Sequence, residues 1–551
     1  MSRPNLRGLA TSMLPVLGLV ATSALMTPAI RRGIEFGDEG YYVQLLVELD
    51  RNGFVQTPFR TPHMLTALVQ LPLFRLFRFL NESGDGLVLF LRTCYQVLAF
   101  CAAISLYFLI SKSSSRLSAF IGASLACTFI PLYLPAFSYN TLAMCAFIIA
   151  VSTQFLAVHS ERKLTRGGLM VLSCASWTIG CLSYPTFAIV AGLNFLFILI
   201  GIRRNRKLAI YALSLTLAFV TAGLLTIKQT GLSWLVDSYS YQRAVATGYR
   251  EKGDTGVQVE FLKPGFIGPL LLLTASGFTK RLSLKATLVI LAIAFGHFAK
   301  TSPNLPQTHV IVTLLGLSYA IQVVIRNRRS IFDTTMLQVV VVLSLVFGLV
   351  YMASSGATSM NLALALVVPA ALHVSQLLGN KIRLSQLAPK SPVLLLVLVT
   401  PYLSFTNQYG DGVVDPTRID DGVYAGLTTS HENALLLGDY TRILDQNSLA
   451  GAKVTYSGVN LGLLLDSDLQ LVQISPWPIE REATGHAKLS ANFLNDLDSL
   501  PRNVIIDSHW YVNPFGYQFR CLYELVRSDP LSNGNSLETW ALNVSLPVCS
   551  S

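Results

Sequence analysis

Two adjacent carboxylates, Asp38 and Glu39, stand in the run Glu35-Phe36-Gly37-Asp38-Glu39-Gly40-Tyr41-Tyr42. Behind them Tyr42, Leu45, Leu46 and Leu49 recur at i, i+3, i+4 and i+7, the period of a helix with one apolar face, and Asn52-Gly53 ends that helix. The acidic pair therefore falls at a helix N-terminus. Two readings of it stand side by side. In one, Asp38 is an N-cap and Glu39 complements the helix dipole. In the other, Asp38 takes a proton from a hydroxyl as general base, and Glu39 orients the acceptor or the base. Glu48, on the same helix, reads as a solvated side chain. The pair also offers two oxygens to a divalent ion, but no metal-ligand spacing such as HExxH accompanies it, and neither a metal nor another cofactor is assigned.

The elements that must hold these residues follow from composition. The chain has 551 residues, 52% hydrophobic and 13% charged, with a formal net charge of +11. Soluble proteins carry roughly 25% charged residues. The basic residues sit between long apolar runs, which excludes a soluble nucleic-acid binder, a disordered chain and a small disulfide scaffold. Thirteen stretches are apolar enough to span a bilayer, at about 8–29, 86–110, 116–134, 138–158, 168–184, 186–202, 207–227, 264–279, 285–300, 307–325, 333–352, 360–379 and 391–406. The fifth and sixth are divided at Ser183-Tyr184-Pro185, because proline disfavours helix at the residue before it. With the N-terminus cytoplasmic, the inner loops hold 20 basic and two acidic residues, a strong positive-inside bias. Thirteen spans place the C-terminal part outside. The expectation is a polytopic α-helical membrane protein with a membrane domain at 1–405 and an extracytoplasmic domain at 406–551. Residues 1–405 carry 33 basic and 13 acidic side chains; residues 406–551 carry 8 and 17.

Three outer segments are large enough to build a site, 30–85, 228–263 and the C-terminal domain. In the first, the apolar face at Tyr42–Leu49 is expected to lie on the membrane surface, and His63 to Leu80 to form a second interfacial helix or a short span. Asp38 would then stand where a lipid head group lies.

These residues carry a resemblance. Asp38-Glu39, then Tyr41-Tyr42, then Phe59-Arg60-Thr61-Pro62-His63-Met64, then Leu73-Phe74-Arg75-Leu76-Phe77, then Leu91-Arg92-Thr93-Cys94-Tyr95 follow the order of elements in the GT-C glycosyltransferases. The run is most similar to the protein O-mannosyltransferase and lipid A aminoarabinose transferase group. Leu182-Ser183-Tyr184-Pro185-Thr186 resembles a further turn of that group, with Ser183 where the group has lysine. Only one proline stands in the basic-Pro-Pro element.

The resemblance implies a polyprenyl-phosphate sugar donor and an inverting transfer to an acceptor hydroxyl, with Asp38 as base. Cations must then stabilise the leaving phosphate. The candidates are Arg60, Arg92, Lys228, Arg243 and Lys300, with His63 and His297 beside them. The alternative for each cation is an anchor that snorkels to the head groups. His297 and Lys300 stand at the outer end of a span, where ionisable residues are functional candidates. His309 follows shortly after, and 353–361 offers hydroxyls and an amide.

The last 146 residues read as a small α/β domain, with strands near 453–457, 469–474 and 503–507 and helices near 490–499 and 516–528. Six cysteines lie in spans; Cys521 and Cys549 are candidates for a disulfide. The acceptor is a lipid, a protein or a glycan, and no nucleic-acid partner is expected. A bacterial inner membrane is the expected location. Three rival readings are a lipid-linked polysaccharide polymerase or ligase centred on 228–263, a lipid or glycan transporter, and a non-catalytic assembly protein of the same fold.

Overall fold

A computed structural model of the chain describes residues 6–56, 62–202, 207–240, 264–279, 281–298, 307–326, 336–354, 360–379, 387–406, 415–446, 452–457, 460–467, 469–471, 502–508 and 523–543. The first part is helical. Its elements are α1 (Leu6–Leu25), α2 (Thr27–Ile30), α3 (Asp38–Gln56), α4 (Ala67–Leu80), α5 (Leu87–Ile110), α6 (Arg116–Thr128), α7 (Tyr139–His159), α8 (Lys163–Ser183), α9 (Phe187–Ile202) and α10 (Lys207–Thr230). Further helices run Pro264–Phe278, Leu282–Phe298, Gln307–Arg326, Met336–Ser354, Met360–Leu378 and Leu387–Thr406. A helix thus stands at each of the thirteen apolar stretches. Among the described residues five are long and apolar enough to cross a membrane: Met13–Ile30, Leu87–Ile110, Tyr139–His159, Lys207–Thr230 and Gln307–Ile325.

The break at Ser183-Tyr184-Pro185 is present: α8 stops at Ser183, and Tyr184 is extended at φ −138° and ψ 94°. Apolar on every side, α7 occupies the centre of the bundle, between α5 and α8. Its Gln154 meets polar groups of the neighbouring helices: Gln154 Oε1 accepts from Trp177 Nε1 (3.1 Å), Asn194 Nδ2 (3.0 Å) and the Tyr211 hydroxyl (3.1 Å). One side-chain oxygen thus ties α7 to α8, α9 and α10.

The first loop departs from expectation in one respect. Tyr42, Leu45, Leu46 and Leu49 are buried in protein rather than laid on a membrane surface. They pack against α4 and the turn Leu461–Leu464, because the C-terminal part folds back over this helix. Gly53, at φ 67° and ψ 173°, breaks the helix at the expected Asn52-Gly53. Glu48 is also buried, not solvated, and accepts from Gln44 (3.1 Å) and Asn52 (2.9 Å). Pro62–Thr66 is a 3-10 turn leading into α4, whose Phe79 and Leu80 are exposed as an interfacial helix requires.

The C-terminal part is α/β. A five-stranded mixed sheet has the order β4-β3-β5-β7-β6, with β3 Lys453–Ser457, β4 Gln470–Leu471, β5 Asn503–Asp507, β6 Tyr523–Pro530 and β7 Ser536–Leu542. The helix His431–Gln446 packs on this part, and its Tyr440 hydroxyl donates to Asp507 Oδ2 (3.0 Å). The helix expected over 516–528 is corrected: from Tyr523 onward the chain is a strand paired antiparallel with β7. Glu524, Leu525 and Arg527 are good helix formers, but the Ser532-Asn533-Gly534 turn, with Gly534 at φ 83°, closes a hairpin that overrides them. The expected helix over 490–499, and Cys521 and Cys549, lie outside the described residues.

Two short strands, β1 Pro416–Arg418 and β2 Thr428–Ser430, form a hairpin that docks on the membrane part. Gly33 N–H donates to Thr428 C=O (2.8 Å), Thr428 N–H to Arg31 C=O (2.8 Å), Gly86 N–H to Gly422 C=O (2.9 Å) and Val88 N–H to Val423 C=O (3.1 Å).

Candidate active site

The acidic loop 31–39 is held from three directions. Glu35 curls forward, and its Oε1 accepts from Gly37 N–H (2.9 Å) while its Oε2 accepts from Glu39 N–H (2.8 Å). It thereby satisfies donors at the start of α3 that the helix itself leaves open. Glu39 turns to the other side. Its carboxylate forms a bidentate pair with Arg92, Nε to Oε1 at 2.7 Å and Nη2 to Oε2 at 2.5 Å. Both side chains are buried. Arg92 Nη1 donates also to the carbonyls of Ile30 (3.0 Å) and Arg32 (3.0 Å). The third hold is Gly462 N–H, which donates to the Phe36 carbonyl at 2.6 Å.

Asp38 is different. It is partly accessible, and among the described residues its carboxylate accepts no hydrogen bond and makes no ion pair. The N-cap reading therefore passes to Glu35. Burial pushes the Asp38 carboxyl up to about 6. Burial, and then the Asp38 charge, push Glu35 up to about 8. An unengaged carboxylate with an affinity close to neutral pH is suited to accepting a proton.

Beside Asp38 stands an aromatic wall. His63 stacks on Tyr139 (centroids 4.2 Å, 14°) and on Tyr184 (5.2 Å, 28°), and Tyr184 stacks on Tyr351 (4.3 Å, 17°). Tyr42 meets Tyr139 edge-on at 5.8 Å. Both Tyr42 and Tyr139 lie within the field of Asp38. Local signals set these rings. A capping box between Ser138 and Thr141 starts α7 at Tyr139, and Pro185 ends α8 at Tyr184. Rings from the Pro62–Thr66 turn, α7, α8 and Met336–Ser354 therefore meet at one end of the bundle. Burial pulls His63 down to about 4, so the ring is neutral near pH 7, and its Nδ1 is buried without a hydrogen-bond partner.

The structure thus brings together Asp38, Glu39, His63 and Arg92. Arg92 gives four of its five N–H donors to Glu39 and two carbonyls, so its main part here is to fix the loop. Lys228 is exposed near the end of α10. Arg60, Arg243 and Lys300 lie outside the described residues, as does the side chain of His297; the backbone at 297 belongs to the Leu282–Phe298 helix. His309 is buried near Phe129, at 4.8 Å between rings. Much of the 353–361 run is outside the described residues. Glu35, Tyr139 and Tyr351 were not singled out from sequence. Glu35 carried one signal, its position four residues before Glu39, within reach of that residue's amide.

A divalent ion at Asp38 and Glu39 does not fit this geometry, because both Glu39 oxygens face the Arg92 guanidinium. Among the described residues no three His, Cys, Asp or Glu side chains converge as metal ligands.

The profile of the Alg9-like mannosyltransferase family matches residues 61–250, from the Pro62–Thr66 turn through α10 and just beyond. No curated protein matches the chain. Among solved structures, the chain is similar to the Archaeoglobus fulgidus oligosaccharyltransferase in complex with Zn and sulfate, with a TM-score of 0.51 and 12% identity over 94% of this chain and 72% of that one. The same archaeal enzyme, AglB, with an inhibitory peptide and a dolichol-phosphate, gives 0.50 and 12% over 97% and 75%. ArnT from Cupriavidus metallidurans bound to undecaprenyl phosphate covers 98% of this chain and 99% of its own at 13% identity, with a TM-score of only 0.44.

Proposed function

We propose that the chain is a GT-C-fold glycosyltransferase that moves a sugar from a polyprenyl-phosphate donor to an acceptor hydroxyl, with Asp38 as general base. The observation that carries this reading is the contrast among three acidic side chains. Glu35 and Glu39 are fully engaged, and Asp38 alone is unengaged, beside an aromatic wall at the end of the bundle. In the step, the acceptor oxygen attacks the anomeric carbon as its proton passes to Asp38. The bond from that carbon to the lipid phosphate breaks, and its electron pair leaves on the phosphate, so the configuration inverts. The neutral His63 and the tyrosines form an apolar side to the site, and aromatic faces of that kind suit the carbon-bound hydrogens of a sugar.

Charge on the leaving phosphate needs cations. Arg92 is mostly committed to Glu39 and the two carbonyls. The role falls to Arg60, three residues before His63, and to Lys300, with Lys228, Arg243 and His297 as further contacts. The dolichol-phosphate held by the archaeal relative supports a lipid-phosphate donor. The protein is an integral membrane protein, and the positive-inside pattern supports a site on the extracytoplasmic side.

The test is transfer from polyprenyl-phosphate sugars by the purified protein. Asp38→Asn is expected to lower kcat by about 10²–10⁴-fold, the usual size of a general-base contribution. Full activity in Asp38→Asn would sink the assignment. Loss on changing Arg243 or Arg250, with Asp38 dispensable, would favour the polymerase or ligase reading.

A further inference from the structure

The C-terminal part meets the acidic loop at a contact made of two glycines. A side chain on Gly40 would strike the Cα and amide nitrogen of Gly462. A side chain on Gly462 would strike the Tyr424 hydroxyl first, then the Phe36 carbonyl (2.8 Å) and Cα (3.0 Å). The Gly462 N–H donates to that same carbonyl at 2.6 Å. Phe36 and Tyr424 pack edge to face at 5.6 Å. Leu461, Gly462, Leu463 and Leu464 are all buried, and Tyr424 is buried with a hydroxyl that has no hydrogen-bond partner. The turn bearing Tyr424 is itself tied down: Asp466 Oδ1 accepts from Val423 N–H (2.7 Å) and Asp85 Oδ1 from Gly422 N–H (3.0 Å).

Phe36 is two residues before Asp38 and Gly40 two after it. The grip therefore falls on both flanks of Asp38, the one of the three acidic side chains in this loop that no other described group holds. Resting on the reading of Asp38 as the base, we propose that Gly462 is a positioning residue, and that through Phe36 and Gly40 the C-terminal domain sets where the Asp38 carboxylate stands. The domain is then a working part of the catalytic centre. An acceptor that moves the 460–466 turn moves the base with it.

The geometry also supplies a rescue. A methyl group at 462 meets the Tyr424 hydroxyl before any other atom, and that hydroxyl makes no hydrogen bond that would be lost. Gly462→Ala is expected to lower kcat about ten- to a hundredfold, since a misplacement near 1 Å costs about that much. The donor KM is expected to change less than threefold. Adding Tyr424→Phe removes the nearest contact but leaves the Phe36 carbonyl at 2.8 Å, and is expected to restore kcat in part. Backbone hydrogen exchange over 33–40, read in Gly462→Ala and in the double variant, follows the loop without reference to activity. Faster exchange in the single variant and recovery in the double are expected. If Gly462→Ala fails to fold, the double variant against Tyr424→Phe alone carries the same comparison. Unchanged exchange and unchanged kcat in Gly462→Ala would overturn the proposal, even if Asp38→Asn is dead. Loop exchange that responds as expected while Asp38→Asn stays active would instead remove the base assignment and leave the grip standing.

Discussion

Removing Arg92 tests how the acidic loop is held. Its guanidinium makes two bonds to Glu39 and one each to the carbonyls of Ile30 and Arg32, and both charged groups are buried. In Arg92→Met the flexible thioether fills much of the volume, but Glu39 is left as an uncompensated buried charge. Breaking such a pair costs about 3–5 kcal/mol. The two carbonyls lose their donor as well, at about 1–3 kcal/mol each if they stay dry. The loss is therefore expected at or above the top of the 3–5 range. That is a large share of the roughly 5–15 kcal/mol that holds an ordinary domain together. Glu39→Met alone strands the arginine and is expected to cost about as much. The double variant removes both charges and is expected to recover at least 2 kcal/mol relative to the sum of the singles. Arg92→Lys keeps the charge without the planar fork and is expected to fall between. Unfolding in detergent micelles, followed by denaturant titration of all four variants, gives the cycle. Single variants each within about 1 kcal/mol of the parent protein would refute the view that this pair carries the loop.

Two more outcomes follow from the same geometry. Because Asp38 must be ionised to accept a proton and titrates near 6, kcat/KM is expected to be level above that pH and to fall tenfold per unit below it; a profile flat on both sides of that value would contradict the assignment. Gln154→Leu removes four bonds to Trp177, Asn194 and Tyr211, and at about 0.6 kcal/mol per interhelical bond in a membrane it is expected to cost about 2–3 kcal/mol while leaving kcat of the folded protein unchanged.

The helices were legible because an apolar run of bilayer length has one economical solution in lipid, and Pro185 marked the break between α8 and α9. Asp38 was legible as a carboxylate at a helix start. What it lacked, a partner, was not legible, because that depends on where Glu35 and Arg92 point. Arg92 read as a phosphate cation because a lone basic residue near a span end has no visible partner in sequence; its partner lies 53 positions earlier and meets it only when α5 packs against the loop. The strand at Tyr523–Pro530 was hidden by helix-forming residues on an edge strand whose exposure does not alternate: Tyr523 and Asp529 are buried and the five residues between them exposed. Nothing local to Gly462 announces its contact with Gly40, since the two are more than 400 residues apart.

The Gln154 oxygen has a consequence for how the protein is made. Helices α7 to α10 enter the membrane one after another as the chain is synthesised. Trp177 and Asn194 meet Gln154 once α8 and α9 are in place, and Tyr211 arrives with α10 to add the last of the four bonds. Only the complete quartet makes all four at once. The hub is therefore expected to close in steps, with α8 and α9 first and α10 last. Expressing the chain split between α9 and α10 and asking whether the halves reassociate with Gln154, and fail to with Leu in its place, would show whether one oxygen can enforce that order.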